Sequence, residues 1–208
     1  PIPVTDHGEI DLDALALLLD GPVKMVAVNH VSNALGTINP VAEIIRLAKA
    51  AGSLVLVDGA QSVAHWPVDL PAMGCDFFVM SGHKLFGPTG IGVLWGRETL
   101  LEAMPPFMGG GEMIDQVGFP TTTYNRPPFK FEAGTPNIAG VIAFGVALDY
   151  MNSIGFDQIA ASVEQRFGGA IDMLYASLSS DNLPAIPSDV LQDIQRVSTP
   201  FKGFRKLW

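Results

Sequence analysis

A single cysteine, Cys75, stands in a chain of 208 residues. One thiol makes no disulfide framework and no cysteine-based metal site, and a reducing cytoplasm is the compartment to expect. Charge is sparse at 16% of residues, and lopsided: 12 Lys and Arg face 21 Asp and Glu, a formal net charge of -9. No basic stripe gathers the cations, so nucleic acid is not expected as a partner. Long hydrophobic runs are missing too. Leu54–Val57, Phe77–Met80 and Ile91–Trp95 are apolar but far too short to cross a bilayer, so no membrane partner is expected. The histidines make no metal-ligand spacing: His7 and His65 stand alone, and His30 belongs to the turn around Asn33. Gly109-Gly110-Gly111 lacks the strand-to-helix context and the Lys-Ser/Thr of a nucleotide-binding loop, and reads instead as a flexible active-site loop. The opening Pro-Ile-Pro-Val-Thr-Asp holds neither an initiator methionine nor a signal peptide, and the start reads as a cut edge.

What is present is apolar residue, 48% of the chain, with a mean hydropathy of +0.31. In a chain of this length that excess points to strands buried on both faces, as in parallel sheets, and to surface meant for a partner or for missing chain. Asp11 opens an apolar-periodic helix from Leu12 to Leu19, stopped at Gly21-Pro22. A strand Met25–Val28 follows. Asn39 is expected to cap a helix with Pro40 in its first position, running through Ala51. Leu54–Val57 is a strand ending in Asp58, a helical turn near Leu70–Met73 stops at Gly74, and Phe77–Met80 and Ile91–Trp95 are strands. Residues 100–137 read as loop, and helices are expected over Gly140–Asn152 and Phe156–Leu178. The alternation gives an α/β class, a mostly parallel sheet with flanking helices. The expected organisation is a large domain, in part, over 1–178, and a divergent or disordered tail over 179–208.

In such sheets ligands collect at the carboxyl ends of the strands. Asp58 ends one strand, where a carboxylate is costly unless it meets a cation or several donors. Gln61 follows one turn on. Ser81, His83 and Lys84 follow the next strand, where a hydroxyl and an imidazole can donate to a phosphate while an amine reaches a carbonyl carbon. Asn33 follows the first strand, where an amide could hold a substrate carboxylate or a cofactor oxygen. Each alone has a plainer explanation: Asp58 a turn cap, Gln61 and Asn33 turn residues, His83 a structural histidine, Lys84 a solvated cation. The order Asn, Asp-x-x-Gln, Ser-x-His-Lys on adjacent strand ends weakens those explanations together.

His30-Val-Ser-Asn-Ala-Leu-Gly-Thr37, Val57-Asp-Gly-Ala-Gln61, the run Cys75–Gly92 with Ser-Gly-His-Lys at its centre, and Phe131-Glu-Ala-Gly-Thr-Pro-Asn137 resemble the group II cysteine desulfurases and selenocysteine lyases. These belong to the class V aminotransferase superfamily of fold-type I enzymes, which use pyridoxal 5'-phosphate (PLP). The resemblance covers about residues 1–175, and its long central segment is highly specific. It implies that Lys84 holds PLP as a Schiff base and moves protons. It implies that Asp58 pairs with the pyridine nitrogen, Gln61 with the phenolic oxygen, and Ser81 and His83 with the phosphate. Thr135 would reach the phosphate of the other subunit's cofactor, which implies a homodimer. Asn33 would hold the carboxylate of L-cysteine or L-selenocysteine, and a sulfur-acceptor protein becomes a possible partner.

The departures from the family pattern carry their own expectations. The family's ring-stacking histidine and one phosphate-binding threonine lie upstream of this chain's start. Its persulfide-forming cysteine and the arginine that clamps the substrate carboxylate lie in a C-terminal domain that this chain does not have. Cys75, in Gly-Cys-Asp-Phe before a buried strand, matches a structural position and reads as a small buried hydrophobe. The expected function is therefore a PLP-dependent cysteine desulfurase, inactive in this length of chain. The alternatives are another class V aminotransferase or lyase, or a non-catalytic remnant.

Overall fold

The computed structural model describes residues 1–163 and 165. The chain divides into two units, Pro1–Phe156 and Asp157–Trp208. In the second, the described residues are those of the helix α6 (Phe156–Val163) from Asp157 on, and Gln165. The rest of the helix expected to Leu178, the boundary after 178 and the tail from 179 lie outside the described residues.

In the first unit four strands form one sheet in the order β1 (Met25–Asn29), β2 (Leu54–Asp58), β3 (Phe77–Ser81), β4 (Gly92–Gly96). The first three run parallel and β4 returns antiparallel on β3. Val26, Val28, Val55 and Val57 are buried and share one face by register. Residues one step along point the other way. The helix α2 (Val41–Ala50) buries Val41, Ile44, Ile45 and Ala48, spaced as one stripe of a 3.6-residue helix, against β1 and β2. Burying each large member of that stripe contributes about 1.5–3 kcal/mol.

Local chemistry sets the element ends. Asp11 caps α1 (Leu12–Leu19) by accepting from Ala14 N–H at 2.9 Å. Gly74 ends the short α3 (Leu70–Met73) in the left-handed region at φ 79°, a conformation that costs glycine nothing. Two expectations need correction. Pro40 stands at the N-cap of α2 and not in its first position. Asn39 does not cap α2, which has no side-chain cap; its buried amide donates back to Asn29 O at 2.8 Å and Asn29 Oδ1 at 3.1 Å. Pairing the β1 terminus satisfies a buried amide better than capping could.

The stretch 100–137, expected as loop, holds most of α4 (Glu98–Ala103) and a small hairpin of β5 (Ile114–Gln116) with β6 (Thr123–Tyr124). The following helix α5 runs Ile138–Ile154, a little longer than its apolar period suggested. No single helix among the described residues is long and apolar enough to cross a membrane.

Candidate active site

Three parallel strands end together, and register decides what meets there. Asn29 pairs with Asp58, and Asp58 pairs with Val79. Because side chains alternate, Asn29, Asp58, Val79 and Ser81 share one face at the carboxyl edge. Neighbouring-strand spacing and a two-residue offset set Asp58 and Ser81 about 8 Å apart at Cα.

Asp58 is half-buried, and its Oδ1 accepts from Ala60 N–H at 2.9 Å. That is the turn-cap role weighed above, and it uses one carboxylate oxygen only. The turn folds tightly, since Ser62 N–H and Val63 N–H both donate to Gly59 O. Gly59 is required by contact. A Cβ there would stand 1.9 Å from Phe78 Cζ, well inside van der Waals reach. Gln61 rides on this turn, half-buried.

After Ser81 the chain makes a 3₁₀ turn, Gly82–Leu85, that carries His83 exposed and Lys84 half-buried. Leu85 is buried and anchors the turn, and Gly82 N–H donates to Ile91 O at 2.9 Å to close its base. Phe86 sits at φ 60°, a left-handed conformation that costs a non-glycine residue energy and recurs at functional turns. The Ser81, His83 and Lys84 side chains are committed to no ion pair among the described residues, whose three ion pairs join Arg46 to Glu43 and both Lys49 and Arg97 to Asp76.

Asn33 follows β1 at the same carboxyl edge, whereas Thr135 lies on a later segment with a cavity of its own. Asn33 is exposed on the turn that Ser32 N–H and Thr37 O close at 2.9 Å, and it is Asn29 that register sets beside Asp58. Thr135 lines a cavity of about 580 Å³ with Gly111, Glu112, Phe129, Glu132, Gly134 and Pro136; Asp58, Ser81 and Lys84 do not line it. The Gly109–Gly111 run meets this segment, with Gly134 N–H donating to Gly111 O at 2.9 Å. A second cavity, about 310 Å³, is walled by apolar groups such as Trp66, Phe78, Leu85 and Met151 and by no titratable side chain, so it offers no chemistry.

In sequence His30 shows only as part of a turn, but in the fold it supports the site. Its N–H donates to Asp58 O at 2.8 Å, and its ring stands edge-on to Trp66 at 5.5 Å. The ring is buried with Nδ1 unpartnered among the described residues, and burial pushes its pKa below the ordinary value. Only alternation with Val26 and Val28 could have signalled this. Cys75 is fully buried, and burial pushes its thiol pKa up. Among the described residues no group of acids, histidines and cysteine is placed to hold a metal ion.

The family model described as aminotransferase class-V matches residues 1–204. The cysteine desulfurase of Dickeya dadantii (strain 3937) is 56% identical over 161 residues, 77% of this chain and 39% of that protein. Among solved structures, the cysteine desulfurase CsdA (S-sulfonic acid) from Escherichia coli is 40% identical with a TM-score of 0.79, covering 84% of this chain and 44% of that one. The apo cysteine desulfurase from Thermococcus onnurineus NA1 is 34% identical with a TM-score of 0.79, covering 95% and 53%. The chain thus spans about two fifths of the length of the curated relatives it matches.

Proposed function

This chain belongs to the aminotransferase class-V family, which is PLP-dependent, and from that footing we propose that it carries the lysine and the acid of a cysteine desulfurase site. The observation that carries the reading is the shared face of Asp58 and Ser81 at the carboxyl edge, with Lys84 one tight turn beyond. The donor set fits the cofactor. Asp58 keeps one carboxylate oxygen for a cationic ring N–H while Ala60 engages the other. Lys84 offers an amine for the aldehyde. Ser81 and His83 offer donors to a phosphate, and Gln61 offers an amide to the phenolic oxygen.

PLP, when bound, supplies an electron sink that lets the carbon–sulfur bond of L-cysteine, or the carbon–selenium bond of L-selenocysteine, break to leave alanine. The residues of this chain prepare that chemistry. Asp58 holds the ring nitrogen protonated, which keeps the ring electron-poor. Lys84 would hold the cofactor at its aldehyde carbon and, once displaced there by the amino group of the substrate, would be the free amine that takes the α-proton. Asn33 holds the substrate carboxylate. Thr135, on its own cavity, serves the phosphate of a second copy, so the working unit is a homodimer. A sulfur-acceptor protein and a cytoplasmic setting complete the reading.

The first test is spectroscopic. The full chain should take up PLP with a visible absorbance band, and borohydride should fix the cofactor's mass on the peptide that contains Lys84. Lys84→Ala should lose that adduct and keep its circular dichroism and melting temperature. Cofactor trapped at an equal level in the mutant would sink the assignment of Lys84. A second reading, PLP binding without sulfur transfer, is favoured by one fact: the sole thiol is buried.

A further inference from the structure

Lys84 and Thr135 lie far apart in sequence, and one side chain fastens their segments together. Asn137 closes the Phe131–Asn137 segment and caps α5, its Oδ1 accepting from Gly140 N–H at 3.0 Å. Its Nδ2 turns the other way and donates to Gly90 O at 3.4 Å. Gly90, at φ 77°, ends the loop that begins at Ser81 and carries Lys84. The glycine at 140 is shaped to this amide, since a Cβ there would lie 2.4 Å from Asn137 Nδ2 and 2.7 Å from its Cγ. Two turns down the helix, α5 touches the same loop again. A Cβ at Gly87 would stand 2.7 Å from the Cδ2 of the buried Phe144. On its far side the Thr135 segment is held by the bond from Gly134 N–H to Gly111 O.

A helix cap needs only an acceptor, which Asp and Ser supply as well as Asn. The amide adds a donor, and here that donor meets the Lys84 loop. We propose that Asn137 is a positioning residue that holds the Lys84 loop in register with the Thr135 segment, beyond its work as a cap. The proposal rests on the reading that Lys84 and Thr135 are cofactor-holding residues, so the test includes a measurement that needs no cofactor.

Asn137→Asp keeps the capping oxygen, adds a charge that suits a helix N-terminus, and removes the donor to Gly90. Asn137→Ser keeps a capping oxygen without that reach. Both should melt close to the parent chain, whereas Asn137→Ala should melt lower. In Asp and Ser variants amide hydrogen exchange should rise in peptides covering 82–92 and stay level in those covering 138–150. PLP affinity, read by absorbance titration, should weaken roughly five-fold, the effect of losing one modest hydrogen bond. Unchanged exchange over 82–92 in both variants, with stability lost only in the alanine variant, would show a helix cap and nothing more, and would overturn the proposal. If exchange rises over 82–92 but the parent chain takes up no PLP, the link stands and the cofactor reading fails.

Discussion

At Asp58 two demands meet on one side chain, and amide substitution separates them. The oxygen that accepts from Ala60 N–H shapes the Gly59–Val63 turn; the charge is what a protonated ring nitrogen needs. Asn keeps the acceptor and removes the charge. Asp58→Asn should therefore fold within about 0.5 kcal/mol of the parent, while PLP-dependent exchange of the α-proton of an amino acid falls about a hundred-fold or more. Near-parental exchange in the variant would mean that Asp58 is a turn cap only. Under that turn lies His30, whose pKa burial holds below the ordinary value. As pH falls, the unfolded chain takes up the proton first. The stability from the neutral ring is fully present above the unfolded pKa of about 6.5 and is lost as pH falls through the lower folded value. Urea midpoints should drop more steeply between about pH 7.5 and about pH 5.5 in the parent chain than in His30→Gln. Equal slopes would show that the folded ring takes up its proton as readily as the unfolded one.

Between elements the strongest fastening is Asp76, the residue before β3. Its Oδ1 takes Lys49 Nζ from the end of α2 at 2.7 Å and Arg97 Nε at 3.0 Å, while its Oδ2 accepts from Val55 N–H of β2 at 2.8 Å. Arg97 binds Gly74 and Cys75 carbonyls as well. Both cations keep partial access to water, so removing the acid does not strand a fully buried charge, but it leaves Val55 N–H without a partner. Asp76→Ala should cost roughly 2–3 kcal/mol in urea unfolding, the scale of a hydrogen bond to a charged group; a cost under about 0.5 kcal/mol would place it with ordinary surface pairs. Nothing in the sequence around Gly-Cys-Asp-Phe announces this hub, because its partners are fixed only when β2, β3 and α2 have packed. Local signals are legible: the existence of α2, the opening of α1 at Asp11, the stop at Gly74, and the strand ends that carry Asp58 and Ser81. The β5–β6 hairpin escaped because strands of three and two residues are too short to show a period of two. Asn39 escaped because its partner is set by the register of β1, and Asn137 because only one of its two bonds is local. Thr135 was legible as a motif residue, but the cavity it lines comes from loops that have no periodicity to read.

At the scale of the molecule, the apolar excess of the composition surfaces as uncovered faces. α5 buries Phe144, Ala147 and Met151 on one side and exposes Ile138, Val141, Ile142, Val146 and Tyr150 on another, and Phe107 and Phe119 stand in the open. A helix apolar all round belongs in the interior of something larger, which agrees with a chain that spans about two fifths of its relatives. Sulfur leaving cysteine must be taken by a nucleophile, and a thiolate on an accessible, mobile segment is the natural one. The only thiol of this chain is Cys75, fully buried at the foot of β3, opposite the carboxyl edge where Asp58 and Ser81 lie. Burial raises its pKa and so keeps it a neutral thiol near pH 7. Purified chain loaded with PLP should therefore release no sulfide from L-cysteine above a PLP-only control, even where Lys84 still exchanges the α-proton. Cys75 should also react with a thiol reagent only after denaturation, and Cys75→Ser should leave proton exchange unchanged. Robust sulfide release that vanishes in Cys75→Ser would require the thiol to reach the opposite end of the sheet, and both its burial and its inert role would have to be given up.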